Sequence, residues 1–96
     1  MLTNQRVYLN GHIDVPVDQW HAVVLALPTH IELTREEPGC ISFKVTQSTS
    51  VECRFLVAEI FEDQAAFEAH QERTKASEWA KITADCPRDF TIKTQD

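Results

Sequence analysis

Alternating apolar and polar residues predict a strand near the start of the chain. From Arg6 to Val15 every second residue is apolar or glycine, and the residues between them are mostly polar. Because successive side chains of a strand point to opposite faces, this pattern predicts a strand with one apolar face. The apolar face carries Val7, Leu9, Gly11, Ile13 and Val15. The opposite face carries Tyr8, Asn10, His12 and Asp14.

A helical spacing of apolar residues follows Pro16. These residues predict one face of a helix and are Trp20, Val23, Val24, Leu27 and Ile31. Pro28 lies inside this stretch. Proline has no amide hydrogen and its ring clashes with the preceding turn, so we expect a kink or a break there. The dipeptide Pro38-Gly39 is a turn signal and predicts the end of the helical stretch.

The middle of the chain predicts a β-hairpin. Residues Cys40 to Gln47 alternate, the polar segment Ser48 to Ser50 suits a turn, and a second strand is predicted from Val51 to Phe61. From Phe55 to Phe61 this strand is apolar on both faces. A strand with one face in water has a polar side, so we expect both faces of this strand to be covered.

The last third of the chain predicts two helical stretches and a final strand. Asp63 is a plausible N-cap for a helix that carries Phe67 and His70, a further helical stretch follows, and Phe90 and Ile92 alternate in a last strand. The order strand, helix, strand, strand, helix, strand predicts an α+β fold of the ferredoxin-like split βαβ type, βαββαβ, with an antiparallel sheet. Both helices would cover one sheet face. A second protomer is the simplest cover for the other.

Composition narrows the class of protein. The 96 residues suit a single domain spanning residues 1–96, with a core of about 6–94. The net charge of −6 disfavours a nucleic acid or an anionic membrane as the main partner. Three cysteines without a C-x-x-C pair, no secretory signal at the N-terminus and no long apolar run lead us to expect a reducing, cytoplasmic location. The four histidines lack the spacing of a metal site.

Two segments resemble a known family. They are Glu-Pro-Gly-Cys at residues 37–40, leading into a strand, and Glu-Ile-Phe-Glu-Asp at residues 59–63, followed by Ala66, Phe67 and His70. Their order and spacing resemble the antibiotic biosynthesis monooxygenase family of small dimeric α+β barrels, over about 6–94 of the chain. The resemblance implies a homodimer with facing sheets and a pocket between the open sheet face and the helices. It also implies oxidation of electron-rich phenols or quinols by O2 without metal, flavin or haem.

His70 and Asn10 are the candidate catalytic residues. His70 matches the helix histidine of the family and would act as a base or hydrogen-bond partner for a substrate hydroxyl, because imidazole titrates near neutral pH. The alternative is a structural core histidine. Asn10 resembles the strand asparagine of haem-degrading and polyketide-oxidising relatives, and its alternative is an ordinary polar residue at a dimer interface. The other predicted pocket residues are Tyr8, His12, Phe55, Val57, Glu59, Phe61 and Phe67.

Glu59 has two interpretations. Its strand face is otherwise apolar, so a buried carboxylate there must find a donor. It would either orient His70 or form a structural pair with a backbone amide, a partner-chain group or an arginine such as Arg88.

Two positions depart from the family pattern. Phe61 stands where many relatives carry Trp, which disfavours haem degradation, and Thr74 stands where a second histidine often lies. We expect a cofactor-independent monooxygenase that oxidises a phenolic, quinol or polycyclic aromatic substrate with O2. The alternative is a non-catalytic dimeric barrel that binds an aromatic metabolite or acts as an accessory or regulatory protein.

Overall fold

The structure is a computed structural model that describes residues 5–95. Its elements are β1 (Arg6–Asp14), a short 3-10 turn (Val17–Gln19), α1 (Trp20–Arg35), β2 (Cys40–Gln47), β3 (Arg54–Phe61), α2 (Gln64–Lys75), α3 (Glu78–Ile82) and β4 (Arg88–Gln95). This order confirms the predicted α+β, ferredoxin-like arrangement. Residues 1–4 and 96 lie outside the described residues. They include most of the N-terminal segment in which the sequence has no pattern of a secretory signal. Among the described helices, none has both the length and the apolar character needed to cross a membrane.

The four strands form one antiparallel sheet in the order β2-β3-β1-β4. Gly11 in β1 pairs with Val57 in β3 and with Phe90 in β4. A Cβ atom at Gly11 would lie 2.1 Å from the carbonyl oxygen of Asp89. The edge strand β4 therefore packs closely on β1 because position 11 has no side chain.

One face of the sheet packs against the helices and holds the core. The predicted alternation is confirmed, since Val7, Leu9 and Ile13 of β1 are buried together with Phe55 and Val57 of β3. The other face has a different character. It carries the even-numbered residues of β1 and β3, and Leu56 on it is 44% exposed. Within this chain, β3 is therefore fully covered only on its helix side.

Helix α1 differs from the sequence-based expectation in two ways. It runs without a break through Pro28, whose ring is exposed, so the lost backbone hydrogen bond lies on a side that water reaches. Its buried residues are Val23, His30 and Thr34, whereas Val24 is 39% exposed. The polar residues His30 and Thr34 thus occupy part of the buried side of α1. The expectation missed them because a hydropathy pattern assigns polar residues to solvent.

The structure shows where β3 and α2 begin. Strand β3 begins at Arg54 rather than at Val51, because Cys53 has a φ of 59°, a left-handed conformation that ends strand pairing. Asp63 is confirmed as the N-cap of α2, since its side chain accepts a 2.8 Å hydrogen bond from the backbone amide of Ala66. This cap sets where α2 starts and hence which face of it meets β3.

Candidate functional site

A cavity of about 250 Å³ lies between the helix-covered face of the sheet and the helices. Its walls are mostly apolar and come from all four strands together with Trp79 of α3. The polar residues on its wall are His30, Glu59, His70, Gln71, Thr74 and Arg88. An apolar cavity with a few convergent polar groups is the usual form of a small-molecule site.

His70 is held by Glu37. The histidine is only 3% exposed, and its Nδ1 lies 2.9 Å from Oε1 of Glu37. Because a carboxylate only accepts hydrogen bonds, Nδ1 carries the hydrogen and donates it. In the neutral ring this leaves the lone pair on Nε2.

Glu37 reaches His70 from the turn after α1. Gly39 closes this turn with a φ of +87°, a conformation that favours glycine. The Glu37 side chain is only 13% exposed and is also bonded by the guanidinium of Arg73, which donates in addition to Oγ1 of Thr34 at 3.0 Å. Glu37, His70 and Arg73, here named the Glu37 network, thus join the end of α1 to the last turns of α2.

Glu59 faces His70 from the sheet. It is 6% exposed, and its Oε1 lies 3.4 Å from Nε2 of His70, somewhat longer than an ordinary hydrogen bond. This Oε1 atom has no hydrogen-bond partner among residues 5–95. Burial raises the pKa of Glu59 to about 7, and the charge of Glu37 adds to the effect. Glu59 therefore changes protonation state near neutral pH.

The environment of His70 acts in two directions on its pKa. Burial lowers the pKa of His70, while the adjacent Glu37 carboxylate opposes this shift. Burial thus favours the neutral form of the His70 ring, whereas the Glu37 carboxylate favours its protonated form. The neutral ring presents the lone pair of its Nε2 atom toward Glu59, and a proton on Glu59 is favoured to stay there because the pKa of Glu59 is raised to about 7.

His30 lines the same cavity and was not singled out by the sequence. Its ring stacks on Trp79 at a centroid distance of 4.7 Å with an interplanar angle of 6°, and it meets Phe43 edge-on at 5.5 Å. Burial lowers the pKa of His30 to about 4, with smaller contributions from Arg73 and His70, so the ring is neutral at pH 7. Its position seven residues after the buried Val23, on the same helix face, is the signal that could have identified it.

The structure brings together only part of the predicted site. His70, Glu59 and Val57 line the cavity. Phe61 and Phe67 pack against one another beside it, with ring centroids 5.8 Å apart, and the Phe61 ring lies 4.8 Å from that of His70. Phe61 therefore packs against the histidine, and Phe67 packs against Phe61.

The other predicted pocket residues lie away from His70. Phe55 stacks on Trp20 at 4.9 Å. Tyr8, Asn10 and His12 point to the opposite face of the sheet, in register with Ile60, Ala58 and Leu56. The cavity is therefore not on the open sheet face, as the sequence-based interpretation had it, because the sheet itself separates Asn10 from His70.

Arg88, the alternative partner of Glu59, is engaged elsewhere. Its guanidinium donates hydrogen bonds to the backbone carbonyl oxygens of Thr83 and Cys86. The ionisable side chain in contact with Glu59 is His70. Within residues 5–95, His, Cys, Asp and Glu side chains do not gather in a group of three suited to a metal ion.

The sheet order and the helix-covered cavity define a ferredoxin-like α+β protein with a buried carboxylate-histidine site. The model of the antibiotic biosynthesis monooxygenase family matches residues 6–82, and the chain belongs to that family. A curated relative, an uncharacterized protein of Synechocystis sp., is 28% identical over 79 residues, which cover 82% of this chain and 54% of the relative. The chain thus spans about half the length of that relative.

Solved structures share the fold across nearly the whole chain. A candidate antibiotic biosynthesis monooxygenase from Nitrosomonas europaea has a TM-score of 0.82 at 24% identity and covers 97% of this chain and 92% of that one. One from Deinococcus radiodurans has a TM-score of 0.72 at 22% identity, covering 94% and 90%. MupZ from Pseudomonas fluorescens has a TM-score of 0.76 at 15% identity, covering 96% and 70%. At these identities the similarity establishes the fold.

Proposed function

We propose that this protein is a cofactor-independent monooxygenase that oxidises a small phenolic or quinol substrate with O2 in the cavity. The observation that carries the proposal is Glu59, a buried carboxylate on an apolar wall with a free oxygen atom beside His70. A group whose pKa is about 7 is matched to proton transfer at neutral pH. The volume of about 250 Å³ lies just below the range of drug-sized pockets, which favours one or two aromatic rings over larger polycyclic substrates.

The first step is removal of the phenolic proton. A substrate hydroxyl in the cavity donates a hydrogen bond to the free Oε1 of Glu59, and its proton moves to the carboxylate. The proton stays on Glu59, whose raised pKa favours the protonated form, and faces the lone pair on Nε2 of His70, 3.4 Å away. The hydrogen bond from Nδ1 of His70 to Glu37 fixes the tautomer that leaves this lone pair on Nε2, and Arg73 balances the charge of Glu37.

The second step draws its electrons from the substrate. The phenolate transfers one electron to O2, which gives an aryloxyl radical and superoxide. These combine by forming a C–O bond at a ring carbon. The ring carbon then loses its proton and the O–O bond breaks, which yields a quinone. The released oxygen takes this proton and the proton first removed from the substrate hydroxyl, and it leaves as water. One phenol and one O2 thus give one quinone and one H2O. The apolar walls favour this sequence because they exclude water from the reactive intermediates.

Oxygen consumption tests the proposal directly. We would screen hydroquinones, 1-naphthol and dihydroxynaphthalenes in an oxygen electrode and look for one atom of ¹⁸O from ¹⁸O2 in the quinone. Glu59→Gln should lower turnover at least about tenfold, whereas Glu62→Gln, an exposed carboxylate just after β3, should leave it unchanged. Failure of every substrate to consume oxygen above the protein-free rate would contradict the proposal.

A second copy of the chain is the proposed partner. The open sheet face carries Leu56, 44% exposed, together with the half-buried Tyr8, His12 and Ile60. Pairing two such faces would remove this apolar surface from water. Sedimentation equilibrium should give twice the chain mass of 11.0 kDa, and Leu56→Glu should shift the protein toward monomer. A monomer for the unmodified chain at micromolar concentration would contradict the dimer.

A non-catalytic aromatic-binding protein is the second candidate. It is favoured by His70, whose ring is almost fully buried and is tied to Glu37 on its Nδ1 side. Saturable binding of 1-naphthol without oxygen uptake would select this candidate. Both candidates keep a small aromatic molecule as partner, and the net charge of −6 supports this class over a nucleic acid or a membrane surface. The three unpaired cysteines support a reducing cytoplasm as the location.

A further inference from the structure

His30 is a buried polar residue that the proposed chemistry does not use. It is 6% exposed, and its Nδ1 has no hydrogen-bond partner among the described residues. Native structures rarely leave such an atom unpaired, because a buried polar group without a partner destabilises the fold. The stack on Trp79 and the edge contact with Phe43 hold the ring plane in place, so a rotamer that moves the ring out of this plane would lose both contacts.

Two residues that line the cavity thus each carry a polar atom without a hydrogen-bond partner within residues 5–95. One is Oε1 of Glu59 on β3 and the other is Nδ1 of His30 on α1. His70 lies near both residues, since its Nε2 is 3.4 Å from Oε1 of Glu59 and its ring centroid is 6.5 Å from that of His30. The rest of the cavity wall is mostly apolar. This arrangement suits an aromatic body with an oxygen substituent near each end.

We infer that His30 is a second recognition residue of the cavity and binds an oxygen substituent on the far side of the aromatic substrate from the hydroxyl received by Glu59. The inference rests on the proposed use of the cavity as an aromatic site, but not on the oxidation step. It narrows the substrate class to aromatics with two oxygen substituents, such as quinols, over simple phenols. A neutral imidazole nitrogen either donates or accepts according to its tautomer, and a hydroxyl group satisfies both cases.

Equilibrium binding under argon tests the inference without any oxidation. The probes are naphthalene, 1-naphthol and the 1,4-, 1,5- and 2,6-dihydroxynaphthalenes, titrated by calorimetry into the unmodified protein. At least one dihydroxy isomer should bind about fivefold to tenfold tighter than 1-naphthol. His30→Phe keeps an aromatic ring against Trp79 but removes the nitrogen, and it should reduce this preference to less than about twofold.

Two further variants separate recognition from packing. His30→Asn places a polar atom at the level of Nδ1 and should retain part of the preference, which also covers the case in which His30→Phe does not fold. Glu59→Gln should weaken the gain from naphthalene to 1-naphthol while sparing the gain from the second hydroxyl. Melting temperatures of each variant show that the comparisons involve folded protein.

Three results would overturn the inference, each in a distinguishable way. If the dihydroxy isomers bind no tighter than 1-naphthol, the free nitrogen serves the smaller cavity of about 190 Å³ that His30 also lines. If His30→Phe weakens all probes equally, His30 acts only as a wall. If none of the probes binds, the aromatic site itself is refuted together with the proposed function. A second-hydroxyl preference in a protein that consumes no oxygen would support His30 while refuting the oxidation.

Discussion

Nδ1 of His70 donates a 2.9 Å hydrogen bond to Oε1 of Glu37, a residue 33 positions earlier in the chain. This bond places the histidine between the partly buried carboxylate of Glu37 and the buried carboxylate of Glu59. Glu37 is paired with Arg73, whereas Glu59 lines the cavity and its Oε1 has no hydrogen-bond partner among residues 5–95. Burial, with a contribution from the charge of Glu37, raises the pKa of Glu59 to about 7. Glu59, rather than Glu37, is therefore the carboxylate that we assign to the substrate.

The activity should depend on the ionised form of Glu59. Because its carboxylate must be deprotonated to accept a phenolic proton, kcat/KM should rise about tenfold per pH unit at low pH and level off above about 7. The measurement is a pH–rate profile with a substrate that does not ionise in this range. Glu59→Gln should remove the rise, while Glu62→Gln should preserve it. An unmodified protein whose kcat/KM is independent of pH between 5 and 8 would exclude this role for Glu59.

Glu59 should also impose a pH dependence on stability. Its folded pKa of about 7 exceeds the unfolded value of 4.5, so the native state binds more protons between these values. Relative to Glu59→Gln, the unmodified protein should therefore lose on the order of 3 kcal/mol of stability as pH rises from about 4.5 to above 7. Urea unfolding of both proteins across this range measures the difference. Parallel stability curves would show that Glu59 titrates normally.

His30 should have the opposite effect at acid pH. Its folded pKa of about 4 lies below the unfolded value of 6.5, so the unfolded state binds more protons between them. Relative to His30→Asn, the unmodified protein should therefore lose on the order of 3 kcal/mol of stability as pH decreases from about 6.5 to 4. His30→Asn should remove this acid sensitivity. Urea midpoints at pH 7 and pH 4.5 for both proteins provide the test, and an equal loss in the two would count against a neutral buried His30.

Arg73 should matter far more than the neighbouring Lys75. Arg73→Gln leaves Glu37, 13% exposed, without its guanidinium, and should cost about 2 kcal/mol of unfolding free energy. Lys75 pairs with Glu72 at the surface, with both side chains more than 70% exposed, so Lys75→Gln should change stability by less than about 0.5 kcal/mol. Chemical denaturation compares the two. Similar losses would mean that the Glu37 network contributes no more than a surface ion pair.

Gly39 should be required for the turn that carries Glu37. Its φ is +87°, and a Cβ there would lie 2.5 Å from Cβ of Ala66. Gly39→Ala should therefore destabilise the protein by about 2 kcal/mol and lower turnover by displacing Glu37 from His70. Pro38→Ala, at the exposed preceding position, should cost less than about 1 kcal/mol. Equal effects of the two substitutions would indicate that the turn tolerates a side chain at position 39.

Much of the fold is readable from local sequence signals. The two-residue period of β1 determines which of its side chains face the helices, because a strand has only two faces. Asp63 marks the start of α2 since its side chain supplies an acceptor for the first free amides. The helical spacing then turns both Phe67 and His70 toward the sheet, where both are buried. Glu59 is predictable for a similar reason, as a carboxylate on an otherwise apolar strand face.

Only the tertiary structure decided which polar residues share the site. Glu37 lies in a turn with no periodicity, and its pairing with His70 and Arg73 joins segments more than 30 positions apart. The spacing from Val23 places His30 on the buried face of α1, but its stacking on Trp79 depends on how α1 and α3 pack, and Asn10 falls on the other side of the sheet. The physical reason is that apolar burial is read from spacing along one element, whereas hydrogen bonds between elements depend on how those elements pack.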